Sequence, residues 1–349
     1  MRAVLINEFQ QPPVVAEVAD PRPGADGVVL RVEATGLCRS DWHGWQGHDP
    51  DITLPHVPGH ELSGTIVEVG TSVRGWQSGQ RVAVPFICAC GSCEQCRSGN
   101  QQVCLNQLQP GFNYWGSFAE YVTIRYAEVN LVPLPPEISF GTAAALGCRF
   151  ATAYRAVTAV AAIRPGEWLA VFGCGGVGLS AVMIAAACGA RVIAIDPSDD
   201  ALRLAAAHGA VQTLQVPADG SGTADIPSQL MEITSGGADV TIDAIGAESV
   251  VQAALRSLRP RGRHLQIGLL PDPVRLDVSF LAFRELRWLG SHGMAAHDFP
   301  RMLDLVSSST VRPDELITNT IGLSGVASAL AAMGSGPPAG VTVILPEQP

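Results

Sequence analysis

Four cysteines, at positions 90, 93, 96 and 104, fall inside one glycine-punctuated loop. Two successive C-x-x-C steps and a fourth cysteine eight residues on can close a tetrahedral shell of four thiolates. A zinc ion that only holds a loop together takes four soft ligands and leaves no position open. The loop, within 88–105, has too few apolar residues to bury a core of its own, so the metal would supply its folding free energy. The alternative is a pair of disulfides; the C-x-x-C spacing and the lack of a secretory context argue against it.

A second set lies around that loop: Cys38 in Gly36-Leu37-Cys38-Arg39-Ser40-Asp41, His60 in Gly59-His60-Glu61, and Cys148 in Leu146-Gly147-Cys148. Two thiolates and one imidazole leave the fourth zinc position open, the donor set of a metal that binds an alcohol oxygen. Such a metal lowers the alcohol's pKa and, in reverse, polarises a carbonyl. Taken singly, a buried cysteine or histidine is usually core filler. All three beside Ser40, Asp41, His43 and Glu61 point to a second, chemical metal site.

At 349 residues the chain is long enough for two domains. Hydrophobic residues make up 47% and charged residues 15%, a composition with ample core material. No stretch reaches the roughly eighteen apolar residues of a membrane span, and the start carries no signal-peptide pattern, so a cytoplasmic location is expected. The formal charge of −10, with no Lys/Arg cluster read in the sequence, argues against nucleic-acid and anionic-membrane partners. Cys88, Cys174 and Cys188 remain outside both metal sets and read as reduced thiols.

The first 150 residues are β-rich, with strands expected at 28–34, 62–70, 81–84 and 119–124, broken often by Gly and Pro. From about Trp168 strands and helices alternate. Strands are expected at 168–172, 191–196, 238–243 and 262–268, and helices at 177–188, 201–208 and 249–258. That order means a parallel, doubly wound sheet. Gly173-Cys174-Gly175-Gly176-Val177-Gly178 is G-x-G-x-x-G between a predicted strand and a predicted helix. Its glycines allow the tight turn, the approach of a pyrophosphate and close helix packing. Asp196 closes the next strand, eighteen residues after Gly178. A carboxylate there binds both ribose hydroxyls and repels a 2′-phosphate, which favours NAD; the competing reading is a cap for the Asp-Pro-Ser turn.

These motifs together resemble the zinc-dependent alcohol dehydrogenases of the medium-chain dehydrogenase/reductase superfamily, over nearly the whole chain. The resemblance implies an α/β fold: a GroES-like β-rich catalytic domain over 1–149 and 294–349, interrupted by a Rossmann NAD-binding domain over 150–293. It implies two zinc ions per chain, a catalytic one on Cys38, His60 and Cys148 and a structural one on Cys90, Cys93, Cys96 and Cys104. Asp41 would orient His60, and Glu61 would sit behind the metal. Ser40 would take the alcohol's proton and pass it through the nicotinamide ribose to His43. Arg39 would lie near the pyrophosphate, and Ile267, Gly268 and Leu269 would line the nicotinamide carboxamide. The reaction implied is NAD-linked, reversible oxidation of an alcohol to an aldehyde or ketone, in a homo-oligomer, a tetramer more often than a dimer.

Two positions depart from the family pattern. Ala201 stands where many NAD-using relatives have a lysine, and Val341 where many have an arginine, with Arg203 a partial substitute for the lost charge. Trp42, Trp45, Phe86, Phe112, Trp115 and Leu269 are candidate pocket walls, favouring medium-sized or aromatic alcohols, and about half of them would serve the core instead. Cys148 as third ligand argues against sorbitol-type substrates. The other readings are a zinc-free quinone or enoyl reductase on the same fold, which would lack the three ligands, and a non-catalytic NAD-binding zinc protein.

Overall fold

The computed structural model describes residues 1–217, 223–334 and 339–348. The chain forms two compact units, Met1–Ala151 with Gly293–Pro349, and Thr152–His292. The first unit holds β1 (Arg2–Leu5), β2 (Val14–Glu17), β3 (Val28–Leu37), β4 (Glu61–Val69), β5 (Arg81–Val84), β6 (Tyr121–Ile124) and β7 (Val132–Pro133). The second holds β8 (Trp168–Phe172), β9 (Arg191–Asp196), β10 (Ala210–Gln215), β11 (Ala238–Asp243), β12 (Leu258–Gln266) and β13 (Arg287–Gly290). The chain then returns to the first unit for β14 (Ile317–Ile321) and β15 (Val341–Ile344).

In the first unit the strand order is β14-β15-β3-β4-β5-β7, and β6 also pairs with β3. The long β3 is therefore shared: its first half pairs β6, its last residues pair β15, and β4 runs antiparallel along nearly all of it. Val28, Leu30, Val32, Leu62, Ile66, Val82, Val84, Val122 and Ile124 form one buried cluster beneath this branching sheet. The period-2 apolar pattern read in β3 to β6 is the outline of that cluster. This is the GroES-like β-rich arrangement.

The second unit is a six-stranded sheet, all parallel, in the order β10-β9-β8-β11-β12-β13. Counted from its first strand that is 3-2-1-4-5-6, the doubly wound dinucleotide-binding order. Its buried cluster includes Ala170, Phe172, Ile193, Ile195, Leu230 and Val250. The helix Gly176–Ala187 follows β8 and is apolar on nearly every face, as a helix packed against a sheet must be. The helix Asp199–Ala207 starts two residues earlier than the sequence suggests, because Ser198 Oγ accepts from the Ala201 amide at 3.3 Å.

Several elements are additional to those read in the sequence; in the second unit they include β10, the helices Ile226–Thr234 and Val278–Phe283, and β13. β10 and β13 are edge strands with largely exposed side chains, so neither carries an apolar pattern. One expectation needs correcting. Basic residues do cluster: Arg256, Arg259, Arg261 and Arg263 fall within eight positions, and the fold adds Arg164 and Arg287 around them. Among the described residues no helix is long and apolar enough to cross a membrane.

Candidate metal and dinucleotide sites

The register of β3 against β4 pairs Gly36 with Glu61. The residues just past one strand end and just before the other, Cys38 and His60, are thereby brought to the same edge. Cys38 is the N-cap of the helix Arg39–Gln46, and Asp41, three residues in, closes a capping box by accepting from the Cys38 amide at 2.8 Å. Asp41 has further duties: its other oxygen accepts from the Gly59 amide at 3.1 Å and from His60 Nδ1 at 3.0 Å. Gly59 has φ +104°, and a Cβ there would lie 2.5 Å from the Phe118 ring, so only glycine can present that amide.

Cys148 arrives from a different direction. The helix Phe140–Ala145 widens into a π-turn, Leu146–Phe150, a local geometry that recurs at functional sites. The Gly147 carbonyl accepts from the Phe86 amide at 3.3 Å, pinning the turn against the strand region. The donor atoms of Cys38, His60, Glu61 and Cys148 all lie within 4.8 Å of one another. His60 is fully buried, and with Nδ1 committed to Asp41 its Nε2 has no hydrogen-bond partner. A buried, unpaired ring nitrogen facing two thiols is costly unless a cation takes it, and zinc fits this donor set. The neighbouring Cys148 thiol and then His60 hold the Cys38 thiol well below its ordinary range, so the thiolate a metal needs is favoured.

Glu61 would be a fourth donor, but it is engaged. Arg149, directly after Cys148, gives its Nε at 2.9 Å and its backbone amide at 3.2 Å to Oε1, and its Nη2 to Oε2. Both side chains are buried. A Cβ on Gly36 would sit 2.2 Å from Glu61 Oε2, so that glycine makes room for the pair. Sequence reading missed Arg149; a cation beside a proposed ligand, in a run otherwise apolar, was the available signal.

The four-cysteine lobe is built from a single helical turn, Glu94–Arg97, and a 3₁₀ turn, Gln101–Val103. Cys93 Sγ lies 3.4 Å from Cys96 Sγ and 3.7 Å from Cys104 Sγ, and Cys104 Sγ lies 3.5 Å from Cys90 Sγ. Bonded sulfurs would be about 2 Å apart, whereas a tetrahedral shell with zinc–sulfur bonds of about 2.3 Å spaces them about 3.8 Å apart. The lobe fits zinc and not disulfides, and all nine cysteines are free thiols. Hydrogen bonds from Ser92, first from its backbone amide, pull the Cys90 thiol down to about 5. Amides of Cys90 and Asn106 reach Cys104 Sγ at 3.3 Å each.

In the second unit Gly173 closes β8 with φ +91°. A Cβ at Gly178 would stand 1.7 Å from the Gly173 carbonyl, whereas one at Gly175 would meet nothing within 4 Å. Gly178 therefore serves packing, and Gly175 faces open space where a pyrophosphate can approach. Gly176 and Val177 open the helix. Asp196 Oδ2 accepts from the Cys174 amide at 2.6 Å and Oδ1 from the Ser198 amide at 2.8 Å. The carboxylate thus caps its turn and ties the glycine loop to β9, with two lone-pair sites left for a ligand. Ile267 and Gly268 follow β12, their amides held by the Asp243 carbonyl at 3.1 and 2.9 Å, and Leu269 is 80% exposed.

Ser40 and His43 lie three residues apart on the helix Arg39–Gln46, hence on one face. His43 Nδ1 is 3.0 Å from His48 Nδ1, a partner the sequence reading did not consider. Arg39 stacks over the Trp42 ring at 4.0 Å and gives Nη1 to the Met333 carbonyl. Arg203, the suggested substitute cation, is taken by Asp199 and Asp200. Of the candidate walls, Phe112 and Phe86 stand with ring centroids 5.1 and 6.1 Å from His60. Trp45 belongs to the core, and Trp115 is exposed and gives Nε1 to the Pro55 carbonyl.

The buried pair makes a direct prediction. Arg149→Met strands an uncompensated carboxylate and should cost about 3–5 kcal/mol in urea unfolding. Adding Glu61→Gln should recover most of that loss. A cost below about 1 kcal/mol for Arg149→Met alone would mean the pair does not hold this region together.

Two family models match: residues 24–136 fit the alcohol dehydrogenase GroES-like domain, and residues 176–308 the zinc-binding dehydrogenase domain. An NAD-dependent alcohol dehydrogenase of Sulfurisphaera tokodaii is 31% identical, over 99% of this chain and 100% of that protein. A sorbitol dehydrogenase of Halalkalibacterium halodurans is 32% identical over 92% of each. The solved alcohol dehydrogenase of Aeropyrum pernix superposes with a TM-score of 0.89 at 28% identity, covering 99% of this chain and 100% of that one. With both domains, the two cysteine-rich donor sets and the glycine turn in place, the chain belongs to the zinc-binding alcohol dehydrogenases of the medium-chain dehydrogenase/reductase superfamily.

Proposed function

We propose that this protein oxidises an alcohol to the aldehyde or ketone, reversibly, with NAD as hydride acceptor and zinc at Cys38, His60 and Cys148. The observation that carries the reading is His60: one ring nitrogen fixed by Asp41, the other buried, partnerless and grouped with two thiols. Zinc bound there supplies a Lewis acid that makes the alcohol's proton easier to remove. Asp41 fixes the imidazole tautomer and raises its donor strength. Arg149 keeps Glu61 occupied, so Cys38, His60 and Cys148 would hold the metal without it. Phe86 and Phe112 give an apolar wall suited to medium-sized or aromatic alcohols. Cys148, rather than a carboxylate, argues for simple alcohols over polyols.

Ser40 and His43, on one face of the helix Arg39–Gln46, would carry the alcohol's proton toward the surface, where His43 Nδ1 lies 3.0 Å from His48 Nδ1. NAD would be held in the second unit on the turn Gly173–Gly178, with Asp196 for its ribose and the Ile267-Gly268-Leu269 segment for its carboxamide. The protein works in the reducing cytoplasm, consistent with nine unpaired cysteines, and as a homo-oligomer, a tetramer rather than a dimer. Phe283, 89% exposed, and the open edge strand β13 are consistent with assembly.

Three measurements test this reading. His60→Ala or Cys148→Ala should abolish alcohol oxidation and lower the metal content from two ions to one, with circular dichroism unchanged; near-normal turnover would overturn the zinc assignment. Asp196→Gly should weaken NAD and raise tolerance of NADP in steady-state kinetics. An unchanged preference would leave Asp196 as a turn cap alone.

The third measurement is the pH profile of oxidation. Burial, then the charges of Arg39 and His48, lower the pKa of His43 below 6.5. Oxidation needs the neutral imidazole as proton acceptor, and a lowered pKa keeps that form present further into acid. The acid limb of kcat/KM should therefore lie below pH 6.5, and His43→Gln should remove it and slow oxidation by up to about a hundredfold. A profile identical in wild type and variant would exclude His43 from the relay.

A further inference from the structure

We propose that the amino-terminal edge of the parallel sheet in the second unit is a binding site for a small anion carrying two or more phosphate groups. A cavity of about 330 Å³ opens there, lined by Arg164, Arg259, Arg261, Arg263 and Arg287 with a single acid, Glu167. The chain as a whole carries −10, and all 22 of its basic residues are arginines. Five of them around one cavity is a strong local reversal of charge.

The acids present do not neutralise it. Arg263 Nη2 meets Glu167 at 2.5 Å, and Arg259 meets the buried Asp239. Arg261 and Glu285 are 3.5 Å apart but 77% and 75% exposed, a pair that water screens. The side chains of Arg164 and Arg287 have no acid partner among the described residues, and Arg263 Nε is buried without an acceptor.

The backbone tolerates three costs to build this edge. The β12–β13 register sets Arg287 directly beside Arg263, a like-charge neighbour pair, which destabilises a sheet. The β11 register jumps from Leu258 to Arg263, so residues 259–262 loop out of the ladder and carry Arg259 and Arg261 to the cavity. Arg261 sits at φ +64°, a left-handed conformation a side chain resists. A bound polyphosphate would offset the charge repulsion, and it would supply an acceptor to the orphaned Arg263 Nε–H. Guanidinium forks match phosphate oxygens in pairs, so arginine is the residue suited to such a site.

This is a second site, separate from the dinucleotide turn. Arg164 and Glu167 precede β8, whereas Gly173 follows it, so the strand's five residues, about 17 Å, stand between them. Phosphate bound at this edge does not compete with NAD.

The test is calorimetric titration of the zinc-loaded, NAD-saturated protein with inorganic pyrophosphate and, separately, with ADP, at matched ionic strength. NAD saturation removes the glycine turn as a competing site. Binding is expected for both probes; equal affinity assigns recognition to the phosphates alone, and tighter ADP adds a nucleoside contact. Arg164→Gln with Arg287→Gln should weaken pyrophosphate by about tenfold or more, with alcohol oxidation at saturating NAD unchanged as proof of an intact fold. No binding heat at millimolar pyrophosphate, or equal affinity in the double variant, would overturn the proposal.

Discussion

The carboxylate of Asp41 holds the candidate metal site together. Its two oxygens receive three N–H groups: the cap of the Arg39–Gln46 helix at Cys38, the amide of Gly59 and the ring of His60. Each partner would be a buried, unsatisfied donor without it. The three-residue spacing from Cys38 to Asp41 therefore does two things at once. It closes the helix and sets one metal donor at the helix's positive end, where a thiolate is favoured. It also turns the neighbouring imidazole so that only Nε2 is left to bind an ion.

The two candidate metal sites differ in character. The four-cysteine lobe has four sulfurs and a few apolar contacts from Ala89 and Val129, so a metal there would replace a core. The Cys38, His60, Cys148 set is embedded between β3, β4 and a π-turn, and has three donors plus a carboxylate taken by Arg149. As proposed, the first set would close around its ion and the second would leave a position for substrate, the difference between holding a fold and doing chemistry.

Much of this was legible in the residues. The two cysteine sets, the Gly-x-Gly turn and the inner strands of the two larger sheets have local signatures: fixed spacing, glycine where backbones approach, and apolar alternation or short apolar runs. What could not be read lacks such signatures. β10 and β13 lie at sheet edges with exposed side chains, so no apolar pattern marks them. The β12 strand begins earlier than 262 because a looped-out stretch interrupts its register. Arg149 and His48 gain meaning only from partners 88 and 5 residues away in sequence that the fold brings together. The arginine edge is assembled from three separate segments. Asp196 shows the limit in another form, since its carboxylate caps a turn while facing the loop where a ribose would lie.

The most direct test of the account is the metal content of Asp41→Ala set beside that of the native protein, with cobalt-substituted visible spectra to report the geometry of each site. In the variant the four-cysteine lobe should keep its ion, and the Cys38, His60, Cys148 site should lose its ion or its native spectrum, because His60 is no longer held. Two retained ions with unaltered spectra would contradict it, and would place the organisation of the site in the protein around the ligands rather than in this one carboxylate.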